Sequence, residues 1–137
     1  MTRRNKIIYW IATLWLALGM VSTGAVQLFK AKEGQGGLDS IIHLGYPVYI
    51  LTILGIWKAL GVVALFLPGK QAWLNLVREW AYAGFFFVTT GAAFSHIASG
   101  DSMDKLLPAL LLLVLTLISW YFRPADKKLQ SSQSINP

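Results

Sequence analysis

Lys58 lies in the middle of an apolar stretch, Ile50 to Leu67, that carries no other charge. An ammonium group at the centre of a membrane span costs about 2.5–3.5 kcal/mol on insertion scales, so it normally faces a protein interior and finds a partner there. Such a group can hold an anionic or carbonyl-bearing head group, or pass on a proton. Glu79 is the only acidic residue within an apolar segment. His43 and His96 are the only histidines, and Asp39 and Asp101 stand near them in the chain. Imidazole is the side chain that exchanges protons near neutral pH. Lys58 and Glu79, with Tyr82 and Thr89 on the same helix as Glu79, are therefore the candidate ligand-binding residues. His43, His96 and Asp101 are the candidates for proton exchange. No catalytic residue is identified.

The elements that must position these residues are helices. A helical membrane crossing needs about 20 mostly apolar residues, and four segments qualify or nearly so: 7–28, 43–67, 73–98 and 106–122. The first is longer than the roughly 7–15-residue apolar core of a secretory leader, so it reads as a span. Trp120 and Tyr121 look like interface anchors at the end of the fourth, and Arg123-Pro124 ends it, because proline cannot continue a helix cheaply. Residues 125–137 form a polar tail, expected to be disordered. The expected fold is all-α: an antiparallel four-helix transmembrane bundle. An even number of spans puts both termini on one side. Arg3, Arg4, Lys6, Lys70, Arg78, Arg123, Lys127 and Lys128 fall on that side, against Lys30, Lys32 and Lys105 on the other. The positive-inside rule then makes the termini cytoplasmic, and the expected location is a bacterial inner membrane. The glycine-rich loop from Lys30 to Ser40 is expected to be the most mobile part.

The second and third spans are joined by a short connection at Pro68-Gly69, which makes them antiparallel neighbours. Residues equidistant from a tight turn lie at the same depth. Reflection about Pro68-Gly69 brings Lys58 level with Glu79, and His96 level with the turn that holds His43. The expectation is two polar layers: an ion pair towards the cytoplasm and a His/Asp layer at the outer surface. Glu79, Tyr82, Phe86, Thr89, Ala93 and His96 recur at the 3,4 spacing of one helix seam. Gly19, Thr23 and Gln27 recur at every fourth residue of the first span and offer close packing and hydrogen bonds.

Composition excludes several classes of function. Of the 137 residues 55% are hydrophobic and only 13% charged, about half the charge of a soluble domain. The net charge of +6 is spread over the chain ends and one turn, so no basic face is available for nucleic acid. The absence of cysteine removes disulfides, thiolate metal sites and thiol redox chemistry. No metal site is expected, since nothing resembles the ligand spacing of a motif such as HExxH. Ser95 or Ser99 with His96 and Asp101 lacks the turn that presents a nucleophilic serine. No haem, flavin or iron–sulfur motif occurs.

The run His43-Leu44-Gly45-Tyr46-Pro47, followed by Leu51 to Lys58, resembles the core of the DoxX-like membrane proteins. Pro68-Gly69, the stretch Glu79 to Phe87, Thr90-Gly91-Ala92, Ser95-His96 and Ser99-Gly100-Asp101 extend the likeness, which covers about His43 to Asp101. The resemblance implies a small four-helix inner-membrane protein. The wider DoxX/DoxD group includes a membrane subunit of a thiosulfate:quinone oxidoreductase and other proteins thought to work with redox partners. It supplies no settled catalytic residue, and the absence of cysteine here argues against a sulfur relay. The expectation that follows is a redox-associated subunit in the lipid bilayer, working beside a redox partner protein and open to homo-oligomerisation. A quinone-like ligand would lie near Lys58. A structural or assembly subunit and a small-solute transporter are the alternatives.

Overall fold

A computed structural model of the chain describes residues 2–129. Its secondary structure is entirely helical: α1 (Arg3–Leu28), α2 (Leu38–His43), α3 (Ile50–Phe66), α4 (Ala72–Ala98) and α5 (Met103–Tyr121), followed by a 3-10 turn at Ala125–Lys127. No strand occurs among the described residues.

Local chemistry sets the helix ends. The Thr2 hydroxyl accepts a hydrogen bond from the Asn5 N–H and caps α1, satisfying one of the amides that a helix start leaves free. α2 and α4 end alike. Gly45 and Gly100 both take positive φ (81° and 71°) just past the helix. The following N–H groups, of Tyr46 and Asp101, return to the carbonyls of Ile41 and His96. Glycine tolerates the left-handed conformation that this Schellman closure needs. The second apolar segment is thereby divided. Instead of one helix over 43–67, α2 stops at His43, residues 44–49 turn through Gly45 and Pro47, and α3 begins only at Ile50. α3 has 17 residues and a rise of about 26 Å.

The four long helices form a ring in which α1 packs on α3 and α5, and α4 packs on the same two. Neighbours run antiparallel. Gly24 meets Gly55 on α3 while Trp10 stacks near Phe66, and Gly19 meets Leu112 on α5 while Thr13 meets Ser119. The core holds Ala12, Leu16, Met20, Leu65, Tyr82, Phe85 and Leu115. Inside it, the Ser119 hydroxyl joins Thr13 (2.6 Å) and Tyr82 (2.8 Å), so three buried hydroxyls satisfy one another.

The α3–α4 register departs from reflection about Pro68-Gly69. Residues 67–71 do not form a tight turn; Leu67 and Gln71 are both extended. The segment folds back along the first two turns of α4, where the fully buried Arg78 (1% exposed) donates to the carbonyls of Leu67 (2.5 Å) and Gly69 (3.1 Å). Leu67 thus lies level with Arg78, and Gly61 with Phe85. Beyond α5 the chain also folds back, with Asn75 Nδ2 donating to the carbonyls of Asp126 (3.0 Å) and Lys128 (3.1 Å). The start of the expected disordered tail is therefore held against α4, and residues 130–137 of that tail lie outside the described residues.

Candidate functional site

The close approach of α1 and α3 creates the surroundings of Lys58. A Cβ at Gly55 would lie 3.0 Å from the Gly24 carbonyl oxygen and 2.5 Å from Leu28 Cγ, so only glycine fits there. With the backbones this close, Lys58 Nζ donates to Thr23 Oγ1 at 3.1 Å. Lys58 is buried at 6% exposure and forms no ion pair among the described residues. The expected Lys58–Glu79 pair does not form. Glu79 instead holds Arg123 Nη2 at 2.7 Å and accepts from Trp120 Nε1 at 3.1 Å, both at the end of α5. The cause is the register: Lys58 lies opposite Phe87 and Val88, so Glu79 is displaced along the axis by about eight residues, or roughly 12 Å.

Lys58 lines a half-open cavity of about 350 Å³ whose wall takes residues from all five helices. Thr23 and Gln27 come to its wall from α1, Tyr46 and Leu54 from the α2–α3 region, Thr89, Ser95 and His96 from α4, and Pro108 and Leu112 from α5. Much of this wall is apolar. Thr89 donates to the Phe85 carbonyl of its own helix. Gln27 is buried, and its Oε1 has no hydrogen-bond partner among the described residues, so the cavity wall carries a free acceptor as well as the Lys58 donor. Pro108 lacks the N–H that would bond one turn back. Of the four expected ligand residues, Lys58 and Thr89 line the cavity. Tyr82 is packed in the core on Ser119 and Glu79 is at the far end, so neither reaches it.

At the other end, the carboxylate of Asp101 bridges the two histidines. His43 Nε2 is 2.7 Å from Oδ1 and His96 Nδ1 is 2.7 Å from Oδ2. The Schellman closure at Gly100 carries Asp101 back over His96, and the closure at Gly45 returns the α2 end towards α4. Tyr46 then bonds Ser95 (2.6 Å between hydroxyl oxygens). The histidines therefore meet as reflection suggested, by another route: the helix break at 44–49 offsets the shifted register. Both imidazole bonds hold the Asp101 carboxyl below the ordinary carboxylate range. His43 is about half exposed and His96 lines the cavity, so the bridge joins the surface to the interior. Asp39 is exposed and takes no part. Among the described residues no cluster of three or more His, Cys, Asp or Glu side chains could hold a metal ion.

Sequence reasoning missed the Tyr46–Ser95 bond, the Glu79–Arg123–Trp120 cluster and the role of Arg78, which entered only as a topology charge. The signal for Arg78 was local: an extended Leu67-Pro68-Gly69 segment leaves carbonyls unpaired beside a helix that offers Asn75 and Arg78 one turn apart.

Two helices, α1 and α5, are long and apolar enough to cross a membrane, and α3 is a shorter apolar helix. Comparison with curated proteins and with solved structures finds no match. Residues 11–119 match the model of the DoxX-like family, which suggests a membrane protein of unknown function. That match runs from the first helix to the end of the fifth, and on it the chain belongs to the DoxX-like family.

Proposed function

We propose that the four long helices span a bacterial inner membrane as an antiparallel bundle, with both termini cytoplasmic, and that the cavity binds the head of a quinone-like lipophilic molecule. The outward faces support the membrane reading: Ile7, Ile11, Leu14 and Leu18 on α1, and Leu107, Leu111 and Val114 on α5, are all exposed. A soluble protein rarely presents so continuous an apolar surface. Basic residues gather at the end that holds the termini, where Lys127 sits over the rings of Tyr9 and Trp10.

One observation carries the ligand reading. Lys58 is a buried cation on a cavity wall with, among the described residues, a single hydroxyl partner and no counter-ion. A head-group oxygen would complete its hydrogen bonds, and negative charge growing on that oxygen would be stabilised by the fixed ammonium. Gln27 Oε1 offers the acceptor that a hydroxyl of the reduced form needs. Conversion of quinone to quinol takes two electrons and two protons. The electrons would come from a redox partner protein, since the sequence shows no haem, flavin or iron–sulfur motif, and His43, Asp101 and His96 would exchange the protons with the outer surface. The chain itself contributes binding, polarisation and proton exchange.

The test is mass spectrometry of lipophilic molecules extracted from the gently purified protein, wild type beside Lys58→Met. Stoichiometric quinone in the wild type, lost in the variant, is the expected result. Equal amounts in both samples, or none in either, would overturn the head-group assignment.

A further inference from the structure

Lys58 faces two spaces. Besides the interior cavity it lines a groove of about 560 Å³ on the outer side of the α3–α4 pair. Phe87 and Val88 also line both, so these three residues form the partition between cavity and groove. The groove floor is made of small residues, Gly61, Ala64, Ala81 and Gly84, and its lining includes the exposed Trp57 and Trp80. Apart from Lys58 at the partition, every lining residue is apolar.

A polar group on the wall shared by a cavity with several polar side chains and an apolar outward groove fits a molecule with one polar end and one hydrocarbon end. We infer that the α3–α4 groove is the seat of the ligand's hydrocarbon tail, which reaches the lipid phase past Lys58, Phe87 and Val88 while the head stays in the cavity. This inference rests on the head-group reading above and adds the ligand class: a long-tailed isoprenoid or alkyl quinone that enters sideways from the bilayer. The wall of Lys58, Phe87 and Val88 that the two spaces share argues for this occupant over a partner helix, which would cover the groove without using the cavity. The absence of Cβ atoms at Gly61 and Gly84 gives the groove its depth. At Gly61 a Cβ would strike the Phe85 ring at 2.7 Å, whereas at Gly84 it would meet nothing within 4 Å. Gly84 can therefore be enlarged without disturbing the packing beneath it.

The experiment measures binding of two probes to the full chain in detergent by quenching of tryptophan fluorescence, with concentrations corrected for partition into micelles. The probes are decylubiquinone and its tailless parent, dimethoxy-methyl-benzoquinone. Gly84→Leu should weaken decylubiquinone binding about tenfold or more, the usual consequence of filling an occupied apolar site, and leave the tailless probe within about twofold. Ala83→Leu adds bulk at the next residue, an exposed position outside both linings, and should change neither. Unchanged binding of the tailless probe also reports that Gly84→Leu is folded. If Gly84→Leu binds decylubiquinone as wild type does, while Lys58→Met loses the tailless probe, the groove is not the tail site and the head-group reading stands. If the wild type binds neither probe saturably, the head-group reading fails and the tail site fails with it.

Discussion

Replacing Lys58 with methionine should make the protein more stable. Lys58 is at the midpoint of α3, buried, with one side-chain hydrogen bond and no counter-ion among the described residues. In a bilayer its charge at that depth costs about 2.5–3.5 kcal/mol on insertion scales. Methionine has a similar length, carries no charge and packs adaptably in irregular spaces. Against the relief stands the lost bond to Thr23, worth about 1.5 kcal/mol for a charged donor. Thr23 is not left unpaired, because its hydroxyl still donates to the Gly19 carbonyl at 2.8 Å. The net expectation is a gain of about 1–2 kcal/mol. Unfolding of the purified protein in mixed micelles, by titration with a denaturing detergent and followed by circular dichroism, measures it. A residue that stabilises its fold by being removed, and whose removal abolishes ligand retention, is kept for function. Destabilisation of the variant by about 2 kcal/mol or more would refute the reasoning and make Lys58 a structural residue.

Three further outcomes are expected. A double-mutant cycle over Lys58→Met and Glu79→Gln should give a coupling energy within about 0.5 kcal/mol of zero, as for residues that share no partner; coupling well above that would restore the ion pair that the register removes. Introducing alanine at Gly55 should cost about 1–3 kcal/mol in the same unfolding assay, because the new methyl group meets Leu28 and the Gly24 carbonyl in a tight helix contact. The Asp101 bridge should survive mild acid. Its carboxyl titrates below the ordinary value of 3.8 because both imidazoles bond it, so its contribution is complete above that value and is lost as pH falls through the lower folded value. Amide hydrogen exchange of residues 38–46 should stay slow down to about pH 4 and quicken below, and Asp101→Asn should remove that transition; opening between pH 5 and 7 would contradict it.

The helical class and the long apolar segments were legible because they depend on composition and period, which survive any error in detail. Depth was another matter. The reflection that paired Lys58 with Glu79 assumed that Pro68-Gly69 was the hairpin's centre, yet Arg78 holds residues 67–71 along α4 and moves the register by about two turns. That is a tertiary effect of one buried side chain, announced locally only by the unpaired carbonyls of residues 67–69 beside Arg78. The division of the second apolar segment was partly readable in Gly45 and Pro47, both of which disfavour continued helix. The meeting of His43 with His96 followed from two errors that offset each other. Ligand residues divided by the same logic: Thr89 shares a helix level with Lys58, whereas Tyr82 and Glu79 belong to the shifted end.

With the bundle spanning a membrane as proposed, the brevity of α3 bears on the surrounding lipid. A helix of 17 residues stands beside helices of 26 and 27, and its rise falls a few ångströms short of a hydrocarbon core about 30 Å thick. On that flank the bilayer must thin, or the longer neighbours must tilt, at a modest cost for each ångström of mismatch. The groove opens on the same flank, so acyl-chain length becomes a control on its access: thin membranes relieve the mismatch, and thick ones press the non-helical backbone of residues 44–49 towards the hydrocarbon. The protein's preferred membrane is thus written partly into the length of one helix.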